Sequence, residues 1–303
     1  MKTQTIGVEI EMTGITRKAA AEAVAKYFGT EAAYKGGGYR TYEVEDNTGR
    51  TWKLMRDSSI KAQRKNGGER EGADDDYKVE LVTPILKYAD IETLQEIVRT
   101  VRKTGAFVNE SCGMHIHIGA AGFTAATLRN LVNAVASKED LLYKALNVHE
   151  DRKSYCKPTD QRFLRELNEK KPETKEQLGA IWYDCSERAI PNHSESHYDS
   201  TRYTICNLHA FFSKGTVEFR IFNATLHAGE VKAAIQLCLA LTHNAKTTRK
   251  AIYRPTETDN PKYTMRCWLL RLGMIGDEFK TARLHLLKNL EGNAAWRNAE
   301  ATA

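Results

Sequence analysis

The chain has 303 residues, of which 41% are hydrophobic, 28% charged and 9% aromatic, with a formal net charge of +6 from 45 Lys and Arg against 39 Asp and Glu. Such a chain is long enough for one large domain or two ordinary ones with a buried core, and its composition excludes a largely disordered or fibrous protein. The mild basic excess suits anionic small molecules rather than the basic stripe of a dedicated nucleic-acid binder, and no apolar run approaches the roughly 18 residues of a membrane helix.

Acids stand in the opening MKTQTIGVEIEM where a signal peptide needs an apolar stretch, so a cytoplasmic protein is expected. Six scattered cysteines, at 112, 156, 185, 206, 238 and 267, form no CxxC pair and read as reduced thiols.

In chain order, a first strand is expected over 5–12 and a helix over 16–28, with Thr16 as N-cap and Gly29 just past its end. Residues 30–50 read as strands or a hairpin around Gly36-Gly37-Gly38, which marks a turn more readily than a phosphate cradle. A strand is expected over 52–60, a charged mobile loop over 61–77, and a strand over 78–83 closed by Pro84. An amphipathic helix over 90–103 places Ile91, Leu94, Val98 and Val101 on one face. A strand follows over 112–119, then a helix over 124–136. A second helix opens at Ser137, which with Asp140 forms a capping pattern. Residues 150–200 are polar, with short helices near 160–170 and 174–182. Strands over 201–211 and 216–222, a long helix over 228–248, and two helices near 262–272 and 277–290 complete the chain. Grouped strands with intervening and trailing helices predict an α+β fold with a largely antiparallel sheet. The expected partition is a catalytic domain over 1–248 and a helical extension over 249–303.

In a strand, alternate residues share a face. Glu9 and Glu11 lie together, opposite Val8, Ile10 and Met12; so do His115 and His117, and Glu218 and Arg220. Glu80 stands between two core residues, and Lys53, Asp57 and Ser59 share a face if their strand is regular. An ordinary solvated face is richer in Lys, Thr, Ser and Gln. Gly113 and Gly119 weaken a strand and make sense where another group comes close. Converging carboxylates would repel one another unless divalent cations entered, and a carboxylate majority favours Mg²⁺ over Zn²⁺. Arg220 and Lys53 suit phosphate or carboxylate oxygens. With no Walker A or GxGxxG sequence, a nucleotide site here must be built from metals and strands. Cys112 reads as a small buried residue rather than a nucleophile, and His193 and His197 as solvated loop residues.

GVEIEM (7–12), WKLMRDSSI (52–60), VELVTPIL (79–86), CGMHIHIG (112–119), RYTICNL (202–208) and TVEFRIFNAT (216–225) occur in an order that resembles the amidoligase family. That family is similar to the glutamine synthetase and glutamate–cysteine ligase superfamily of carboxylate–amine ligases. The resemblance covers roughly residues 5–245 and implies a curved antiparallel sheet of about six strands, with ATP and Mg²⁺ (or Mn²⁺) as cofactors. It makes Glu9, Glu11, Glu80, His115 and Glu218 metal ligands. His117 falls near the nucleotide phosphates, and Arg220 beside the transferred phosphoryl group. Arg202 becomes a cation for phosphate or substrate carboxylate, and Asp57 and Ser59 substrate-side groups. Ser58 departs from the smaller residue usual at its position. The implied reaction is ATP-dependent amide formation through an acyl phosphate, joining small-molecule or peptide acids and amines. A phosphagen-type kinase on the same fold and a metal-dependent hydrolase are the alternatives, with a basic binding module as the non-enzymatic one.

Overall fold

A computed structural model describes residues 1–297. Its centre is one antiparallel sheet of eight strands. These are β1 (Ile6–Met12), β2 (Ala32–Gly36), β3 (Thr41–Glu45), β4 (Thr51–Met55), β7 (Val79–Val82), β8 (Gly113–Gly119), β9 (Cys206–Asn207) and β10 (Thr216–Asn223). Their spatial order is β2-β3-β4-β7-β1-β8-β10-β9. The remaining strands, β5 (Gln63–Asn66) and β6 (Glu69–Gly72), form a separate hairpin. The fold is thus α+β as expected, but the sheet has eight strands rather than about six. The β2–β3 hairpin widens one edge, and the two-residue β9 finishes the other.

Eleven helices accompany the strands among the described residues. They are α1 (Arg17–Phe28), α2 (Ile91–Lys103), α3 (Ala125–Ala136), α4 (Glu139–Leu146), α5 (Gln161–Lys170), α6 (Lys175–Tyr183), α7 (Ile190–Ser194), α8 (His209–Ser213), α9 (Ala228–Thr247), α10 (Pro261–Arg271) and α11 (Lys280–Leu287). Helix α1 forms as the sequence requires: the Thr16 hydroxyl accepts from Ala19 N–H, and Gly29 closes it at φ 70°. The α2 stripe of Ile91, Leu94, Ile97, Val98 and Val101 is buried against α1 and α9. Each such side chain contributes roughly 1.5–3 kcal/mol by leaving water. Helices α1 and α9 lie on the apolar side of the sheet, and α3 and α11 pack on α9. That side holds Val8, Ile10, Met12, Leu81, Ile116, Ile118 and Phe219, all buried. Of the expected extension 249–303, residues 298–303 lie outside the described residues. No described helix is long and apolar enough to cross a membrane.

Side-chain bonds to backbone account for most departures from the expected elements. The strand expected over 52–60 stops at Met55, because the Asp57 carboxylate accepts from both the N–H (2.7 Å) and the hydroxyl (2.6 Å) of Ser59 and closes a turn. Most of the strand expected over 201–211 is missing. Asp199 folds Thr201 into a turn, and Asn207 Oδ1 accepts from His209 N–H to start α8. Residues 61–77 hold β5, β6 and a 3₁₀ turn instead of an unordered loop. Ser137 closes α3, its hydroxyl donating to the Asn133 carbonyl at 2.6 Å, and α4 begins at Glu139 without it. The last expected helix shortens to 280–287 behind a 3₁₀ turn at 277–279.

Candidate active site

The sheet register brings the ionisable residues of β1, β7, β8 and β10 together. Glu9 stands opposite His115, Glu11 opposite Glu80, and His117 opposite Glu218. Each of these residues is on the face away from the apolar core, yet all but Glu9 are almost fully buried. A solvated strand face does not look like this, so the polar side is covered by other parts of the chain.

Two histidines sit between two acids. His115 Nδ1 is 3.1 Å from Glu9 and 3.7 Å from Glu218, and His117 Nε2 is 3.3 Å and 3.8 Å from the same carboxylates. Thr216 Oγ1 lies 2.9 Å from His117 Nδ1. If Nδ1 donates to that hydroxyl, the Nε2 lone pair points at two carboxylates. His117 Nε2 is indeed buried without a hydrogen-bond partner. A cation between these groups would satisfy all of them.

Three overlapping sets of candidate ligands occupy this face. They are Glu9, His117 and Glu218; Glu9, Glu80 and His115; and Glu11, Asp57 and Glu80, each with ligand atoms within 4.8 Å of one another. The donor chemistry fits divalent cations, with carboxylate oxygens outnumbering imidazole nitrogens as Mg²⁺ or Mn²⁺ prefers. His117, expected near phosphates, and Asp57, expected on the substrate side, also stand among these candidate ligand groups.

Protonation adjusts to the crowding. Burial, then the neighbouring acids Glu9, Glu11 and Asp57, pushes Glu80 well above the usual carboxylate range. Burial and Asp57 raise Glu11 to about 7, although its Oε2 accepts from Gly113 N–H at 2.6 Å. Burial works against charge on Glu9 and Glu218 too, but cations and imidazoles outweigh it. His117 and His115 hold Glu9 well below its ordinary value, and Arg220 with both histidines brings Glu218 to about 2. Burial and Arg220 lower His115 to about 4. Burial opposes charge on His117, but Glu218 and Glu9 raise it overall.

Arg220 donates to Glu218 at 2.5 Å, and the other Glu218 oxygen accepts from Asn207 at 2.6 Å. Beside this floor lie two cavities. One, of about 620 Å³, is lined by Glu11, Asp57, Ser59, His115, Arg202 and Arg220, with Tyr39, Tyr155, Tyr198 and Tyr203 among its walls. The other, of about 500 Å³, includes Asn207, His209, Lys214 and Glu218. Arg202 and His197 line both. Lys53 stays on the same sheet face but two strands from β1, its ammonium 3.6 Å from Glu43 and not among the residues lining either cavity.

Several site residues escaped the sequence reading. His197 is exposed, as expected, but it lines both cavities: its carbonyl accepts from Arg202 at 2.6 Å, and its ring meets Tyr39. His193 is bonded to Asp199 at 2.8 Å and stacked on Tyr183. Arg152 is buried; it donates to the carbonyls of Phe222 and Arg220, where β10 bulges between Phe219 and Phe222. The signal for it was Gly113. A Cβ there would stand 2.5 Å from the Arg152 guanidinium carbon, so the close group that glycine admits is this arginine. Gly119 similarly admits Thr5. Cys112 is buried and inert, its thiol pushed up to about 12 by burial.

No curated protein matches the chain. A family model described as "Putative amidoligase enzyme" matches residues 2–242 and so includes every strand of the sheet and every residue of the acid face. The chain therefore belongs to the amidoligase family, a family named for amide-forming ligases.

Proposed function

We propose that the protein is an ATP-dependent carboxylate–amine ligase, related to glutamine synthetase and glutamate–cysteine ligase, that makes an amide through an acyl phosphate and releases ADP and phosphate. The observation that carries this reading is the buried face on which Glu9, Glu11, Asp57, Glu80, His115, His117 and Glu218 present three ligand sets beside Arg220 and Arg202. These groups would hold Mg²⁺ or Mn²⁺, which when bound neutralises phosphate charge and orients the nucleotide.

A carboxylate is a poor electrophile, and phosphorylation gives it a leaving group. Arg220, fixed by Glu218 at 2.5 Å, would stabilise charge on the transferred phosphoryl oxygens. Arg202 between the cavities would steady an anionic substrate group, and Lys53 would act on outer phosphates only after leaving Glu43. Asp57, held by Ser59, and the neighbouring acids offer a base for the attacking ammonium. The acid and amine are small molecules or peptides that fit a cavity of about 620 Å³.

Hydroxylamine tests the route. With ATP, Mg²⁺ and a panel of acids, a hydroxamate should form with ADP and phosphate in equal amounts. Arg220→Lys should slow this at least tenfold (about 1.4 kcal/mol or more of transition-state stabilisation), because an ammonium lacks the planar two-donor contact. AMP and pyrophosphate among the products would overturn the acyl phosphate. A stable phosphorylated product would indicate a kinase, and turnover without ATP a hydrolase.

A further inference from the structure

A second group of ligand-type residues lies away from the acid face, where α9 begins. His227 is the N-cap of α9, Glu230 is in its first turn, and His285 comes from α11. One nitrogen from each imidazole and one Glu230 oxygen all lie within 4.8 Å of one another, and the two rings are 5.0 Å apart between centroids. Gly229 makes this approach possible. A Cβ at that position would stand 2.8 Å from His285 Nε2 and 3.1 Å from His227 Cε1. Beside the group is a cavity of about 250 Å³ that Thr225, Glu230, His285 and Lys288 help to line, which gives room for water.

The carboxylate is already oriented. Thr225 donates to Glu230 Oε2 at 2.6 Å, an outer-shell bond of the kind that fixes metal-binding acids. Glu230 Oε1 carries the Lys288 ammonium at 2.5 Å. That lysine side chain is 47% exposed and can swing into water, so its ammonium marks a cation position that another cation can take. Two imidazoles and a carboxylate, with water as a fourth ligand, are the donor set of a tetrahedral zinc-class ion and a poor match to Mg²⁺. Besides displacing Lys288, binding costs one bond: His227 Nδ1 accepts from Glu230 N–H at 3.3 Å, and coordination through Nε2 moves the proton to Nδ1 and releases that long bond.

We infer that His227, Glu230 and His285 form a site for a zinc-class divalent ion that clips α11 to the start of α9. Lys288 occupies the cation position when the metal is absent.

The test uses the full chain, stripped with chelator and titrated with Zn²⁺ in excess Mg²⁺, against His285→Gln and His227→Asn. Asparagine keeps an N-cap side chain, so this variant preserves the helix start if the other perturbs α11. Wild type should bind one more equivalent of Zn²⁺ than either variant and show a Zn²⁺-dependent rise in melting temperature that both lose. Co²⁺ should give tetrahedral d–d absorption in the wild type alone. Lys288→Ala should tighten Zn²⁺ binding by up to about fivefold, the value of one partly exposed ion pair. Equal stoichiometry in wild type and both variants, or weaker binding in Lys288→Ala, would overturn the site.

Discussion

Replacing Glu80 by glutamine should stabilise the metal-free protein, although it removes a buried residue's native chemistry. The Glu80 carboxylate has no hydrogen-bond donor among the described residues and sits opposite Glu11, with Asp57 completing a set whose oxygens lie within 4.8 Å. Two ionised carboxylates at that distance repel by about 3 kcal/mol at an effective dielectric constant of about 20. Glu80 avoids part of this by holding its proton, which is why its pKa is raised well above the ordinary value. Unfolded Glu80 ionises above about pH 4.3, while the native group does not, so the native state loses up to about 1.4 kcal/mol per pH unit until native Glu80 ionises as well. Glutamine cannot ionise and removes the penalty. In chelator, wild type and Glu80→Gln should unfold at the same urea concentration near pH 4. By about pH 8 the variant should be the more stable, by up to about 3 kcal/mol, the repulsion of one ionised carboxylate pair. On the proposed reading, saturating Mg²⁺ or Mn²⁺ should reverse the order, because the variant would lack one of the candidate ligands. A variant no more stable than wild type at pH 8 in chelator, or a difference that ignores pH, would refute the picture of mutually repelling acids.

Two further outcomes concern what supports the site. Gly113→Ala and Arg152→Ala should each cost about 3 kcal/mol, one by a clash and the other by leaving the Arg220 and Phe222 carbonyls unpaired, and the double variant should cost at least about 1 kcal/mol less than the sum; strict additivity in urea denaturation would show that the two do not touch. Asp46→Ala should cost about 3 kcal/mol at neutral pH, because burial opposes its charge but bonds from Thr48, Arg50 and Trp52 hold it well below its ordinary pKa; that contribution is full above about pH 4 and is lost on acidification, so an undiminished difference between variant and wild type at lower pH would contradict it.

The floor of the site was legible because strand alternation is a local property. Val8, Ile10 and Met12 against Glu9 and Glu11, or Met114, Ile116 and Ile118 against His115 and His117, name both faces without any tertiary knowledge. The α1 caps and the α2 stripe were legible for the same reason. Segments 56–60 and most of 201–211 were not, because bonds accepted by the Asp57, Asp199 and Asn207 side chains outweighed strand propensity there. Arg152 reaches carbonyls 68 and 70 residues away, and no local pattern encodes such a pairing. Only the missing Cβ of Gly113 announced it.

This division between legible floor and illegible walls has a functional counterpart. Glu9, Glu11, Glu80, His115, His117 and Glu218 are fixed by ladders joining four adjacent strands, so a substitution that shifted one would have to break register with its neighbours. Tyr39, Asp57, Tyr155, His197, Tyr198, Arg202 and Tyr203 instead come from turns and irregular segments, each held by a few bonds such as Arg202 to the His197 carbonyl. Chemistry shared across a family needs the first kind of support, since metal and phosphoryl positions tolerate little movement. Choice of acid and amine needs the second, since loops change residue and length without disturbing the core. On the proposed reading, exchanging wall residues should therefore alter which substrates are joined, whereas exchanging floor residues should abolish joining for all of them.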